Sequence, residues 1–337
     1  VSSVRAGLVG LGAIGRNHAR VLRSLTGVDL VAVADPAGDP DGVAGGVPVV
    51  DDVDALMARG IDMCVVAAPT ALHRDIGLQL AQGGVHALIE KPLADTSERA
   101  AELVTAFAAA GLVCAVGHIE RYNPALQALQ QRLQAGELGA LHQVATRRQG
   151  PFPGRIADVG VVMDLTTHDI DLTAWVTGRD YDSVSARTAH KSGREHEDLV
   201  AVVAQLTDGT VTSHLVNWLS PMKERVTTVT GERGCFVADT LNADLTFFAN
   251  ASVAMEWDAM SIFRGVAEGD MTRFAIAKPE PLRTELATFR DAVLGRPASI
   301  VTAEQGLRTV QVAEAVLRSA ETGQTVSVAP AAAALRG

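Results

Sequence analysis

Residues 160–178, GVVMDLTTHDIDLTAWVTG, carry Asp164, His168, Asp169 and Asp171 inside an otherwise apolar stretch. Asp164 and His168 stand four apart, so on a helix they share a face and can bond each other or aim at one target. An imidazole titrates near neutrality, and one oriented by a carboxylate can exchange a proton with a hydroxyl. Taken alone, the segment has a plainer account: an acid favourable to a helix dipole and a histidine satisfied in a core. Two other stretches change that balance. Gly10, Gly12 and Gly15 form a GxGxxG pattern in GLGAIGRNHARVLRSL, and Glu90-Lys91-Pro92 directly follows the apolar run HALI.

The glycines have the context that their spacing needs. They follow the apolar strand Val4–Val9 and open an amphipathic helix. Gly10 makes the tight turn, Gly12 lets backbone approach a pyrophosphate, and Gly15 lets the helix pack on the strand. The phosphates then meet amides at a helix N-terminus. A second strand, Asp29–Ala34, ends at Asp35, twenty residues after Gly15. A carboxylate there accepts from adenosine ribose hydroxyls and repels a 2′-phosphate, favouring NAD over NADP; the competing account makes Asp35 a turn residue before Pro36.

Strands and helices then alternate through residue 120, with a capping box expected at Asp95–Glu98, which predicts a doubly wound parallel sheet. Ligands bind beyond the strand C-termini of such sheets. That singles out Ala68-Pro69-Thr70, Glu90-Lys91-Pro92 and Gly117-His118. The Lys91 ammonium, held beside a proline at the crevice, is placed to give or take a proton when partly desolvated.

From about Tyr122 the pattern changes, so residues 1–120 and 121–337 read as two domains. After one helix and the quoted stretch, long alternating strands predominate, with an Asp208-Gly209 hairpin signal, and two helices close the chain. This is an α+β domain with a large, mostly antiparallel open sheet. Helices cover one face, and self-association as a homodimer or homotetramer is expected to cover the other. Hydride-transfer sites commonly form where two such domains meet, so Lys91, Asp164 and His168 combine into one chemistry.

Composition narrows the partners. With 47% hydrophobic and 20% charged residues, the chain has the make-up of a soluble globular protein. A net charge of −10 argues against nucleic acid or a membrane surface as partner. The absence of a spanning stretch or basic-apolar leader gives a cytoplasmic expectation. Cys64, Cys114 and Cys235 lack metal-ligand spacing and read as reduced thiols, so no metal is expected.

The motifs GLGAIGRNHA, APTALH, EKPLA, GHIERYNP and DLTTHDID, in that order, resemble the glucose–fructose oxidoreductase, inositol dehydrogenase and MocA (Gfo/Idh/MocA) family across nearly the whole chain. The resemblance implies an N-terminal Rossmann domain, a C-terminal α/β domain whose open sheet serves in dimers or tetramers, and NAD(P)-dependent redox of sugars or cyclitols. It implies catalytic roles for Lys91, Asp164 and His168. Gly10, Gly12, Ala13, Ile14, Gly15, Asp35, Ala68, Pro69, Thr70, His73, Glu90 and Lys91 match its cofactor-binding positions. Many members have a glycine two residues after the aspartate, where this chain has Thr166. That form, with GHIERYNPAL, is similar to the branch oxidising position 3 of UDP-N-acetylglucosamine or related nucleotide sugars. Arg121, Tyr122, Asn123, Arg155 and His168 are then substrate-facing candidates, with Lys223 or Arg225 as diphosphate partners. The alternatives are an inositol or free-sugar dehydrogenase, an enzyme that keeps its cofactor through the cycle, and a non-catalytic NAD-binding sensor.

Overall fold

The computed structural model describes residues 3–154, 159–250 and 268–328. The chain divides into two compact units, Val1–Tyr122 with Pro279–Glu314, and Asn123–Lys278 with Ala315–Gly337.

In the first unit the strands β1 (Val4–Val9), β2 (Val28–Ala34), β3 (Val49–Val50), β4 (Met63–Val66), β5 (His86–Glu90) and β6 (Cys114–Gly117) form a six-stranded sheet in the order β3-β2-β1-β4-β5-β6. Every pairing is parallel. The helices are α1 (Gly15–Leu22), α2 (Val53–Met57), α3 (His73–Gln82) and α4 (Ser97–Ala110). Strand order reverses between β1 and β4, the switch point where such sheets take ligands. The strands are apolar along their length because both faces are covered. In β5, Ala87 and Ile89 enter one core with Leu103 and Phe107, while Leu88 enters the other with Leu8 and Leu22.

Two expectations need correction here. The cap of α4 is Thr96, whose hydroxyl accepts the Arg99 N–H at 3.3 Å, while Asp95 pairs with Arg99 at 2.6 Å. The cap therefore lies one residue after the predicted Asp95, and with Arg99 at the third helical position it is a single threonine cap and not a capping box. A single cut near residue 120 also fails, since Pro279–Glu314 belongs to the first unit. Its helix α7 (Pro281–Val293) sends Leu286 and Phe289 fully into the core that holds Leu22 and Leu88. Local periodicity marks that face as apolar but does not say which sheet covers it.

The second unit contains α5 (Pro124–Gln134), β7 (Leu141–Pro151), a π-helical turn Val162–Thr166 that leads into α6 (Thr167–Thr177), and β8 (Tyr181–Ala189). There follow β9 (Leu199–Leu206), β10 (Val211–Asn217), β11 (Leu219–Gly231), β12 (Gly234–Asp239), β13 (Asp244–Asn250) and β14 (Glu268–Arg273). Helix α8 (Ala303–Thr322), which belongs to the first unit as far as Glu314 and to the second from Ala315, and β15 (Val326–Ser327) end the described chain. The nine-stranded sheet runs β14-β13-β12-β11-β7-β10-β9-β8-β15, parallel only between β7 and β10. The β9–β10 hairpin turns at Asp208-Gly209, where the Asp208 carboxylate accepts the Thr210 N–H at 3.0 Å. On one sheet face Val144, Val229 and Phe236 pack with Leu126 and Leu129 of α5 and Leu172 and Val176 of α6. The strand register places Val203, Leu215, Phe248 and Met271 on the opposite face, where all four are exposed.

Candidate active site

In the first unit the loop between β1 and α1 has the shape of a phosphate cradle. Gly10 has φ +93°, and a Cβ there would stand 2.5 Å from the Ala67 carbonyl oxygen. A Cβ on Gly15 would overlap the Gly10 carbonyl, whereas one on Gly12 would meet nothing within 4 Å. The loop thus closes on itself at Gly10 and Gly15 and stays open at Gly12, with Ala13 and Ile14 exposed beside it. No side chain caps the first turn of α1 and no acid lies in it, so its amides and dipole suit a diphosphate. Asp35 lies at the end of β2. Its carboxylate accepts the Leu11 N–H at 2.7 Å and the Ala37 N–H at 2.9 Å, one on each oxygen. Each oxygen keeps a further lone pair for a ribose hydroxyl. The loop residue and the turn residue are the same carboxylate.

The second strand-end corner lies at β5. Lys91-Pro92 is a cis peptide bond, and Lys91 is half-buried. The buried ring of His73 fixes this corner to the end of β4: Nδ1 lies 2.9 Å from the Pro92 carbonyl oxygen and Nε2 2.9 Å from that of Ala68. Burial pulls the His73 pKa below its ordinary value, against the two carbonyls, which favour a doubly protonated ring. His73, expected to bind cofactor, therefore acts on the Ala68-Pro69-Thr70 and Lys91-Pro92 segments from behind. Glu90 similarly turns inward, its carboxylate 2.7 Å from Nε2 of the buried His18. His18 lies within the quoted glycine motif, but its spacing gave no sign of this role.

In the second unit the stretch with four ionisable groups resolves into two kinds. Asp169 serves the fold: its carboxylate accepts from Arg148 Nε at 3.1 Å, and both side chains are buried. Asp171 is buried beside the same polar core, where the Tyr181 hydroxyl bonds His214 Nε2 at 2.9 Å and Thr146 bonds His214 Nδ1 at 2.8 Å. Burial lowers His214 to about 4, so the ring is neutral at pH 7 and one nitrogen donates while the other accepts.

Asp164 and His168 are almost buried and stand on different kinds of turn. A regular helix was expected through both, but Asp164 lies in the π turn and His168 in α6. The cause is local. The Thr167 N–H reaches the Val162 carbonyl, and the Thr166 hydroxyl donates to the Val161 carbonyl at 3.2 Å, five residues back in both cases. Glu197 secures the entry to this turn by accepting the Val162 N–H at 2.9 Å. Any Cβ on Gly160 would overlap the Glu197 carboxylate. Single π turns inside helices recur at functional sites. Neither Glu197 nor the π turn was read from the sequence; the adjacent Thr166-Thr167 pair and Gly160 are their only marks in it.

Three of the residues read as substrate-facing make hydrogen bonds within the fold. Tyr122 is buried and its hydroxyl donates to the Ser299 carbonyl at 3.4 Å. Arg121 is buried and donates to Gln305 Oε1 at 2.9 Å. Asn123 caps α5 through the Ala125 N–H at 3.0 Å and donates to the Thr240 carbonyl at 2.9 Å. Each joins segments of its own unit. Arg155 lies outside the described residues, Lys223 is exposed on β11, and Arg225 is half-buried on the same strand. Among the described residues no group of three or more His, Cys, Asp or Glu side chains could hold a metal ion, and no helix is long and apolar enough to cross a membrane. The three cysteines are unpaired, and burial pushes Cys64 and Cys114 up, which keeps those thiols protonated.

Residues 4–118 match an oxidoreductase family with an NAD-binding Rossmann fold, and residues 126–237 match the Gfo/Idh/MocA C-terminal domain. An inositol 2-dehydrogenase of Rubrobacter xylanophilus is 31% identical over 243 residues, 68% of this chain and 70% of that protein. The chain belongs to the Gfo/Idh/MocA family. It is also 34% identical to a UDP-N-acetylglucosamine 3-dehydrogenase of Acidithiobacillus ferrooxidans over 211 residues, 62% of this chain and 65% of that relative, just under two thirds of its length. A solved structure of UDP-N-acetylglucosamine 3-dehydrogenase from that organism superposes with a TM-score of 0.84 at 27% identity, covering 96% of this chain and 99% of the other. Membership of the family makes the first unit an NAD-binding Rossmann domain.

Proposed function

We propose that this Gfo/Idh/MocA protein is an NAD-dependent dehydrogenase that oxidises a secondary alcohol of a sugar, and that the sugar is carried on a nucleotide, as in UDP-N-acetylglucosamine oxidised at position 3. The observation that carries the redox reading is the Lys91-Pro92 corner, fixed by His73 to the same sheet edge as the open glycine loop. The nicotinamide, when bound, accepts the hydride. In this reading Lys91 polarises the reacting oxygen, His168 takes the hydroxyl proton, and Asp164 orients His168. The nucleotide-sugar reading is supported by likeness over nearly the full length to the Acidithiobacillus dehydrogenase, and Lys223 and Arg225 are then candidates for the diphosphate. A second reading, an inositol dehydrogenase, draws on the Rubrobacter relative and needs no diphosphate partner.

Reduced-nicotinamide absorbance decides between them. With NAD, a signal from UDP-N-acetylglucosamine and none from myo-inositol or free hexoses is expected; a signal from inositol alone discards the nucleotide sugar and keeps the dehydrogenase. Lys91→Met should lower turnover by a factor of about 100 or more while NAD still binds, the usual scale for loss of a positioned acid–base group. Unchanged turnover in that variant removes Lys91 from the chemistry. We also assign the open sheet face to self-association, as a homodimer or homotetramer.

A further inference from the structure

The connection between β8 and β9, residues 190–198, is long for a hairpin and closes on the entry to the π turn. The Asp198 N–H joins its neck by donating to the Ala189 carbonyl at 3.0 Å, and the Asp198 carboxylate accepts the Lys191 and Ser192 N–H groups at 2.8 and 2.6 Å. The loop then grips the segment ahead of Asp164 at three points. Arg194 Nη2 donates to the Val159 carbonyl at 3.2 Å, the Glu197 carbonyl accepts the Val161 N–H at 3.0 Å, and Glu197 Oε1 accepts the Val162 N–H at 2.9 Å. Arg194 is itself stacked, 4.3 Å from the Phe152 ring centre and 4.9 Å from that of Trp218. Glu197 is buried, and Gly160 gives it room, since any Cβ there would overlap the carboxylate.

The first N–H groups of a helix have no partner within it, and no side chain at the start of this turn caps them. Glu197 supplies two acceptors from another element and sets a carboxylate at the positive end of the helix dipole. A π turn takes in one residue more than an α turn, and one residue is about 100° of helical rotation. The register at this entry therefore decides where Asp164 stands around the axis relative to His168. We infer that Glu197 is a positioning residue for the Asp164–His168 pair: held by its loop, it caps the π turn from outside and fixes the register in which Asp164 precedes His168. The inference rests on the reading of that pair as proton-transfer groups only for its purpose.

The register is tested without turnover. In the full-length protein without substrate, the Cε1–Hε1 signals of isotope-labelled histidine rings are read by NMR, with His168→Gln and His214→Gln to assign them. His214 lies in the same unit but is held by Thr146 and Tyr181, so it serves as the control. Glu197→Ala should displace the His168 signal by more than its linewidth and leave that of His214 in place. Glu197→Gln, whose side-chain oxygen still accepts the Val162 N–H, should restore it. An unmoved His168 signal in Glu197→Ala overturns the inference. Equal displacement of both signals, the mark of general loosening, overturns it too, and so does a Glu197→Gln signal displaced as far as that of Glu197→Ala. If Glu197→Ala does not fold, Gly160→Ala forces the carboxylate from its place and should displace the same signal; no movement there overturns the inference equally. Normal turnover in Asp164→Asn would refute the proton-transfer role of the pair and leave the ring-signal result standing.

Discussion

At the scale of single residues, the Asp35 carboxylate builds the glycine loop, and the cofactor preference expected of it follows from where its charge is held. It ties the Leu11 and Ala37 amides at 2.7 and 2.9 Å, so its charge is held at the rim of the glycine loop rather than free to swing away. A 2′-phosphate at that rim would face a fixed like charge, which costs on the order of 1–2 kcal/mol in a partly screened site. Asp35→Ala should therefore raise affinity for NADPH relative to NADH by about tenfold, measured as the ratio of the two dissociation constants by calorimetry. A wild-type protein that already prefers NADPH would show that Asp35 does not act on the ribose. The spacing from Gly15 to Asp35 is visible in the sequence because it reflects one βαβ unit of fixed length. The inward turn of Glu90 toward His18 is not, since the two are 72 residues apart and meet only when β5 and α1 are in place.

At the scale of elements, the strands and helices of both sheets follow from periodicity and turn chemistry, and the departures occur where tertiary contacts overrule them. The helix through Asp164 and His168 was expected to be regular; the Thr167 N–H and the Thr166 hydroxyl, each bonded five residues back, and Glu197 at the entry make its first turn a π turn. The apolar face of α7 was legible, its place in the first unit was not. The polar core between α6 and the second sheet makes a pH prediction. His214 has its pKa lowered from 6.5 to about 4 by burial, so between those values the unfolded chain binds the proton and the folded one does not. Its contribution to stability is complete above pH 6.5 and is lost as pH falls toward 4, up to about 3 kcal/mol at the lower end. Urea unfolding followed at pH 7, 6, 5 and 4.5 should show this decline, and His214→Gln, while less stable at pH 7, should show a shallower one. Equal slopes in the two proteins would mean that another group carries the acid sensitivity.

At the scale of the whole molecule, the second sheet poses a question that one copy of the chain does not answer. Nine strands about 4.8 Å apart span roughly 40 Å, and seven-residue strands run about 23 Å, so each face offers on the order of 900 Å². Helices α5 and α6 pack on one face; the other presents Val203 at 57% and Met271 at 66% exposure, with Leu215 and Phe248 between them. Arg147, on the same face, is neutralised by Glu224 at 2.8 Å, so it does not repel a second apolar surface. Two such faces brought together would bury about 1,800 Å², within the range of specific protein interfaces and above that of casual contacts. Self-association through this face therefore predicts a dimer or tetramer in light scattering. Val203→Glu combined with Leu215→Glu, both at exposed strand positions, should lower the mass to that of one chain without changing the circular dichroism, because a buried unpaired charge is costly while a solvated one is not. A wild-type protein that elutes as a single chain, or a double variant that keeps the wild-type mass, would place the assembly surface elsewhere and leave this face exposed for another reason.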